Sequence, residues 1–339
     1  MSRIRLVLSC LTLAVVLTWP FGIAMAEHVD SQINMDVLRS YGVTDDQVQK
    51  LGTDAWVVQS LIEGGKIRRD QVMTLVASLL NPPQLPIDSY PMESGLLVTP
   101  GGTIAPPRSA DDDVGILASA TGPYWEVTST STHFKSTGWA QTPSTGLINI
   151  NSTSNDAGYM FFGCRNTSTG RACDAGIFTD PHLNSSWHMF MFPNDSTKPG
   201  NGWVSLQINR PWGSTIYLIF EVITNGAKVT AIDAATWVTL GTLQISVTSD
   251  WGFTPTNSNI RVYRVVSIGQ KPENLKSGSW FNGAHWYNVY AYKSSGYGLW
   301  TSTRTSGTVL YPSATSNIHL TIPTGCQYYE DYVDIHLNH

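Results

Sequence analysis

The chain has 339 residues, of which 13% are charged and 42% are hydrophobic. Soluble domains carry about 25% charged residues on average. This balance excludes a disordered chain, which is poor in hydrophobic residues, and a multi-span membrane protein, which needs several apolar stretches of about 20 residues. A formal net charge of −5 argues against a nucleic-acid partner. The content of 12 Trp, 14 Tyr and 29 Gly favours strands and turns over helices.

Residues 1–26 have the features of a secretory signal peptide. A basic start at Arg3 and Arg5 precedes an apolar stretch, and residues 24–26 (Ala-Met-Ala) resemble a cleavage site. The apolar stretch is too short to span a bilayer. The sequence therefore predicts a secreted, extracellular protein without a membrane span.

Residues 27–83 show the spacing of short helices. Thr44 is a typical N-cap for the run that follows it, and Pro82 and Pro83 end the pattern. Residues 84–113 are rich in Pro and Gly and predict a linker. Such a small helical segment has little core of its own. It therefore either docks on the rest of the chain or is a propeptide removed near the linker, and we favour the propeptide.

From residue 114 to 339 the pattern changes to apolar and polar alternation between turns. The segments that fit strands are 124–134, 146–152, 157–164, 173–179, 186–193, 202–209, 214–223, 227–233, 238–248, 260–268, 284–292, 298–303, 306–311, 317–322 and 329–337. No helical pattern interrupts them. They predict a mainly β domain, an antiparallel two-sheet β-sandwich of the jelly-roll or concanavalin-like kind.

Three cysteines follow the predicted signal peptide. Cys164 and Cys173 flank a turn-rich connection between two apolar runs. In an oxidising compartment a disulfide between them would close a hairpin and add about 2–3 kcal/mol of stability. A metal site there would need further ligands, and none lies nearby in the sequence. Cys326 is then either buried or paired with one of the other two.

One stretch resembles a known family. It runs from Gly158-Tyr159 through Cys173-Asp174-Ala175-Gly176-Ile177 and is followed by Trp187 and Phe190. This pattern is similar to that of the secreted bacterial YrpD-type proteins, in which an Asp-Ala-Gly segment precedes an aromatic strand. The resemblance covers the predicted β domain and implies a secreted β-sandwich. It implies no catalytic residues.

Several predicted strands combine an apolar face with a face of aromatic rings and polar groups. Sugar rings lie flat on Trp or Tyr, and their hydroxyls need amides and carboxylates. The sequence therefore predicts interaction with an extracellular polysaccharide, by binding or by cleavage. The residues expected to line that face are Trp203, Gln207, Tyr217, Glu221, Trp286 and Tyr290.

Glu221 is the main candidate for catalysis, because it lies in the middle of an otherwise apolar strand. Its alternative role is that of a structural carboxylate, either facing solvent or paired with an arginine such as Arg210, Arg261 or Arg264. With Glu330 or Asp334 it would form the carboxylate pair of a glycosidase. With Gln207 it would resemble the Gln/Glu pair of glutamic peptidases, which are secreted β-sandwich enzymes made with a propeptide. A polypeptide substrate is thus a second hypothesis, and a non-catalytic surface protein whose rings only fill the core is a third.

No standard motif for a phosphate loop, a zinc helix or a nucleophile elbow occurs in the sequence. We therefore expect no organic cofactor and no catalytic metal. Asp331 and Asp334 could hold a structural calcium ion, since oxygen ligands suit it, although their spacing does not require one.

Overall fold

The computed structural model describes residues 33–83, 87–89, 92–93, 96–97, 122–151, 156–181, 183, 185–193, 195, 197, 202–270, 274–312 and 317–337. The predicted signal peptide, residues 1–26, lies outside them, as does most of the predicted linker, so both stay predictions. Among the described residues, no helix is long and apolar enough to cross a membrane.

Four short helices precede the main strands. They are α1 (Met35–Ser40), α2 (Asp45–Leu51), α3 (Asp54–Glu63) and α4 (Arg69–Leu80), and together we call them the helical unit. The Thr44 hydroxyl accepts a hydrogen bond from the Gln47 amide, and the Gln47 side chain accepts one from the Thr44 amide, which caps α2 as predicted. Gly52 has a φ of 55° and separates α2 from α3.

Nineteen strands lie in the described ranges. They are β1 (Ile87–Ser89), β2 (Met92–Glu93), β3 (Leu96–Leu97), β4 (Tyr124–Ser129), β5 (Lys135–Gln141), β6 (Ile148–Asn149), β7 (Ala157–Asn166), β8 (Ala172–Thr179), β9 (Ser186–Phe192), β10 (Val204–Pro211), β11 (Thr215–Ile223), β12 (Gly226–Asp233), β13 (Thr239–Ser246), β14 (Ile260–Gly269), β15 (Trp280–Lys293), β16 (Gly296–Leu299), β17 (Thr305–Tyr311), β18 (Ile318–Thr321) and β19 (Asp331–His336).

The strands form two large antiparallel sheets. One has eight strands in the order β1-β10-β9-β8-β7-β14-β4-β17. The other has nine strands, with β13-β12-β11-β5-β15-β19-β18 in a row and with β6 and β16 each paired to β15. β2 and β3 pair with each other in a two-stranded sheet. The predicted class, an antiparallel two-sheet β-sandwich preceded by short helices, is confirmed.

Each large sheet places one apolar face in a shared core. Leu218 and Phe220 of β11 and Met160 and Phe162 of β7 belong to that core and are fully buried. One ion pair crosses it, because Arg264 of β14 contacts Asp331 of β19 at 2.6 Å with both side chains fully buried. The two sheets are thus held by apolar packing, by this buried pair, and by the more exposed pair of Arg210 on β10 with Asp233 on β12 at 2.8 Å.

The helical unit covers part of the outer face of the nine-stranded sheet. A second hydrophobic cluster joins Leu61 and Val72 of the helices to Trp139 and Tyr217 of the sheet. The described part of this segment, residues 33–83, therefore docks on the β-sandwich. Whether the segment is later removed as a propeptide stays a prediction.

Two segments differ from their predicted structure. Ile87–Ser89 lie within the predicted linker, yet they pair with β10 at the edge of the eight-stranded sheet. β5 was not predicted as a strand, because its sequence, KSTGWAQ, shows no apolar alternation. It nevertheless lies between β11 and β15 in the nine-stranded sheet. Burial by the helical unit on one side and by the core on the other explains why alternation is absent.

Candidate functional site

A bulge in β15 decides which of its rings share a face. The pairing of β15 with β5 shifts register between Tyr287 and Tyr290, and Asn288 within this interval has a φ of 48°. His285 and Tyr287 before the bulge, and Tyr290 after it, all reach the outer face of the sheet. Trp286 points the other way into the core, where its ring lies 4.8 Å from Phe162.

Aromatic side chains from neighbouring strands and from the turn between β12 and β13 form a continuous row on this outer face, which we call the aromatic row. Its members are Tyr332, His285, Tyr287, Trp139, Tyr217 and Trp237. The rings of Tyr332 and His285 stack with centroids 3.8 Å apart, and Tyr287 follows at 4.8 Å from His285. Tyr287 stacks on Trp139 at 5.7 Å, and Trp139 lies 4.5 Å from Tyr217.

The helical unit divides the aromatic row into two halves. Trp139 and Tyr217 are 6% and 0% exposed and lie beneath the helices, so they belong to the covered half. At the other end Tyr332 is 39% exposed and Tyr287 is partly exposed. These two rings and His285 between them form the open half.

Polar groups surround His285 in the open half. Its Nε2 lies 3.3 Å from Glu330 Oε1, and its Nδ1 lies 3.2 Å from Gln141 Oε1. Burial lowers the pKa of His285, although Glu330 acts in the opposite direction. The ring is therefore mostly neutral at pH 7. The His285 imidazole, the Glu330 carboxylate and the exposed Gln141 amide thus place several hydrogen-bonding groups close to the exposed ring of Tyr332.

Glu330 also contacts the only cysteine near this site in the described part of the chain. The Cys326 thiol donates to Glu330 Oε2 at 3.4 Å. Burial raises the pKa of this thiol, and the neighbouring carboxylate raises it further. Burial together with Cys326 also raises the pKa of Tyr329 to about 12. A thiol held in its protonated form is a poor nucleophile, so Cys326 is not set up for covalent chemistry.

A buried ion pair positions Glu330. The next residue, Asp331, accepts hydrogen bonds from Arg264 at 2.9 and 2.6 Å and from the Trp125 indole at 2.7 Å. Arg264 also donates to the Tyr328 carbonyl at 2.7 Å. The backbone on both sides of Glu330 is thus anchored to the opposite sheet, which fixes the carboxylate beside His285.

The covered half contains a cluster of four charged side chains. Lys135 of β5 is fully buried and contacts Asp54 of α3 at 2.7 Å and Glu221 of β11 at 3.4 Å. Lys228 of β12 contacts the same two carboxylates at 3.2 and 3.3 Å. The Thr53 hydroxyl donates to Glu221 and accepts from Lys135. We call this group the charge cluster; it joins the helical unit to the sheet.

The pKa shifts agree with this arrangement. Burial on its own would raise the pKa of Asp54, but Lys135 and Lys228 lower it overall. Burial would likewise lower the pKa of Lys228, and Asp54 and Glu221 raise it overall. Both groups are therefore held in their charged forms, as expected for a paired cluster.

The predicted catalytic residues are not brought together. Glu221 lies in the charge cluster under the helical unit, whereas Gln207 is exposed on β10 of the other sheet and donates to Asn209 at 2.7 Å. The Gln207 and Glu221 pair of the peptidase hypothesis is thus absent, because β10 and β11 follow each other in sequence but belong to different sheets. Glu221 is paired with lysines rather than with an arginine.

Glu330 directly precedes β19, and Asp334 lies within β19, four residues further along the chain. Four residues along a strand span roughly 13 Å, more than the roughly 5–9.5 Å between the carboxyl groups of a glycosidase. Asp334 accepts from the Gly283 amide at 2.6 Å and lies 3.6 Å from His319. Asp331 faces the core, so it shares no calcium site with Asp334. Among the described residues there is no group of three or more metal-ligating acidic, His or Cys side chains.

The four predicted binding rings lie in three different layers. Trp203 stacks on Phe190 at 5.0 Å on the outer face of the eight-stranded sheet. Trp286 lies between the sheets, and Tyr217 and Tyr290 lie under the helical unit. They do not form the single face that the strand patterns predicted.

The cysteine hairpin is present without its predicted bond. Cys164 and Cys173 face each other in the register of β7 and β8, and both are buried. The structure contains no disulfide between them, so the bond stays a prediction for the protein in an oxidising compartment.

Gln141, His285, Tyr287 and Tyr332 were not predicted as site residues. Their sequence signal is weak, because His285 and Tyr287 alternate with apolar residues like any half-buried strand. The site depends on the pairing of β5, β15 and β19, which brings the four side chains together from three distant segments.

No family model matches this chain, and no curated protein matches it. The resemblance to YrpD-type proteins therefore stays an expectation. Among solved structures, the chain is similar to a native heptameric SAP-like pentraxin from Limulus polyphemus, with 11% identity over 43% of this chain and 58% of the pentraxin, at a TM-score of 0.24.

Two further structures show similarity of the same low order. The CBM2 module of the evolved Dit from Lactobacillus casei BL23 phage J-1 shares 10% identity over 56% of this chain and 84% of the module, at a TM-score of 0.28. An alginate lyase from Klebsiella pneumoniae shares 11% identity over 46% of this chain and 55% of the lyase, at a TM-score of 0.25. The chain thus spans little more than half of the pentraxin and of the lyase. At these values the three likenesses carry no inference about function.

Proposed function

We propose that this protein is exported and binds an extracellular polysaccharide through the open half of the aromatic row, without cleaving it. The observation that carries the proposal is the stack of Tyr332 on His285 at 3.8 Å, with a carboxylate and an amide on the two ring nitrogens. Stacking on His285 fixes the Tyr332 ring, so a sugar that packs on it costs little side-chain entropy.

The surroundings of Tyr332 suit a sugar ring. One face of the ring is occupied by His285, while the neighbouring strand carries the exposed Thr321 opposite Tyr332. A short side chain there leaves room for a saccharide against the second face of the tyrosine. Beside this ring, the Glu330 carboxylate can accept hydrogen bonds from the sugar hydroxyls, and the Gln141 amide can donate to them.

Binding without cleavage fits the charged groups of this face. A glycosidase needs a second carboxylate near Glu330, and Asp334 is roughly 13 Å away along the strand. The peptidase alternative lacks its Gln207 and Glu221 pair, which lie in different sheets. A non-catalytic surface protein without a ligand site is the remaining alternative. A binding experiment distinguishes it from the proposed function, because such a protein would bind no polysaccharide.

The test is binding of the purified full chain to a panel of neutral and acidic polysaccharides, measured by affinity electrophoresis and calorimetry. We expect Tyr332→Ala to weaken binding about tenfold, which corresponds to about 1.4 kcal/mol, because the variant removes the ring on which the sugar packs. The matched control is Met73→Ala, which removes another exposed apolar side chain, 37% exposed, from α4. If the wild type binds no polysaccharide, or if Tyr332→Ala binds as well as Met73→Ala, the proposal is wrong.

A further inference from the structure

The aromatic row does not end where the helical unit begins. Tyr287 of the open half stacks directly on Trp139 of the covered half, and Trp139 contacts Tyr217 and Trp237 at 4.5 and 6.1 Å. The same surface therefore continues under the helices. Only its cover changes.

The covered half differs in composition from the core between the sheets. The inter-sheet core is mainly aliphatic and aromatic, and its polar side chains include the buried pair of Arg264 with Asp331. The covered half contains several polar groups beside its aromatic rings. They are the hydroxyls of Tyr292 and Tyr297, the ammonium groups of Lys135 and Lys228, and the Glu221 carboxylate. A face built only to pack helices has no need of these groups, because burying each of them costs free energy unless it is paired.

Each of these polar groups contacts a hydroxyl or a carboxylate of the helical unit. Ser60 contacts the Tyr292 hydroxyl at 2.9 Å, and Glu63 accepts from Tyr297. Thr53 donates to Glu221. Asp54 places its two carboxylate oxygens on Lys135 and Lys228, at 2.7 and 3.2 Å. Hydroxyls and carboxylates arranged over aromatic rings are also the groups that an acidic saccharide presents.

We propose that the covered half is a further part of the saccharide-binding surface, that it takes a uronate-containing polysaccharide, and that Asp54 occupies the place of a sugar carboxylate. This inference rests on the proposed function. Without the helical unit, Lys135 and Lys228 oppose the single charge of Glu221, so the surface has an excess positive charge. A carboxylate between two lysines forms charge-assisted hydrogen bonds that a neutral sugar cannot form.

The test compares full-length variants in the binding of oligosaccharides of increasing length. Asp54→Ala removes one of the two carboxylates that contact both lysines and leaves them with Glu221 alone. Asp46→Ala is its control, because Asp46 is an exposed acid of α2 paired at the surface with Lys50. We expect oligouronates to bind Asp54→Ala about tenfold more tightly than the wild type or Asp46→Ala. Neutral glucan oligomers of the same lengths should bind all three proteins equally. Equal oligouronate affinity for all three, or an equal gain for neutral oligomers, would overturn the inference.

A second measurement needs no variant. Hydrogen exchange of the wild-type chain is followed with saturating oligouronate and with neutral glucan. A uronate that competes with Asp54 for the lysines should accelerate exchange in α3, and neutral glucan should not. Unchanged or slower exchange in α3 with oligouronate contradicts the inference.

The two proposals fail in different ways. If the wild type binds no saccharide of either class, the proposed function falls. If it binds both classes alike through Tyr332, while Asp54→Ala gains no affinity for uronates, then only the inference about the covered half falls.

Discussion

The open and covered halves of the aromatic row are built from the same kinds of side chain on the same sheet face, yet their surroundings differ. In the covered half, Trp139 is 6% exposed and four charges are paired between α3 and the sheet. In the open half, Tyr332 is 39% exposed and one carboxylate, Glu330, faces a neutral imidazole. The comparison shows that the role of an aromatic strand face depends on what covers it. The open half is accessible to a saccharide with the helical unit in place, whereas the covered half becomes accessible only when the helical unit leaves the sheet.

The largest expected effect concerns the charge cluster. Lys135→Met leaves Asp54 and Glu221 with Lys228 alone in a buried site, and we expect a loss of about 3–5 kcal/mol in the free energy of unfolding. Urea denaturation measures it. The control is Lys50→Met, which breaks an exposed pair with Asp46 and should cost less than about 1 kcal/mol. Similar losses in the two variants would show that the cluster is not shielded from water.

The second prediction compares one ring from each half. Trp139→Ala removes a ring packed between Tyr217 and Tyr287 under the helical unit and should destabilise the protein by about 3–5 kcal/mol. Tyr332→Ala removes a ring at the exposed end and should cost less than about 1 kcal/mol. Thermal and urea unfolding of both variants test this. Equal destabilisation would mean that the two halves are packed alike.

The smallest expected effect is the pH dependence of the covered half. The pKa of Asp54 is lowered from its ordinary value of 3.8, because Lys135 and Lys228 outweigh its burial. The stability that this carboxylate contributes is therefore complete above that value, and it is lost as the pH falls through the lowered pKa of the folded protein. The difference in unfolding free energy between the wild type and Asp54→Asn should be constant from pH 7 to 5 and shrink towards pH 2. A difference that stays constant down to pH 2 contradicts the pairing.

Local sequence patterns predicted most of the elements. The alternation in β11 correctly separates Leu218 and Phe220, which face the core, from Tyr217 and Glu221, which face outwards. The pattern missed β5, because a strand covered on both faces by protein need not alternate.

The candidate site was harder to predict, because three non-local features create it. The first is the assignment of β10 and β11 to different sheets, which separates Gln207 from Glu221. The second is the β15 bulge at Asn288, which brings Tyr290 to the same face as His285 and Tyr287. A strict period of two predicts the wrong partners beyond such a bulge. The third is the pairing of β19 with β15, which places Tyr332 on His285.

The sequence by itself determined the fold class, the short helices with their Thr44 cap, and the apolar face of most strands, because caps, turns and strand periodicity act over a few residues. Only the tertiary structure decided which strands share a sheet, where the helical unit docks, and which rings stay exposed. These depend on pairing between segments such as Lys135 and Asp54, 81 residues apart. Long-range contacts of this kind leave no local period in the sequence, so the open and covered halves of one aromatic row look alike until the chain is folded.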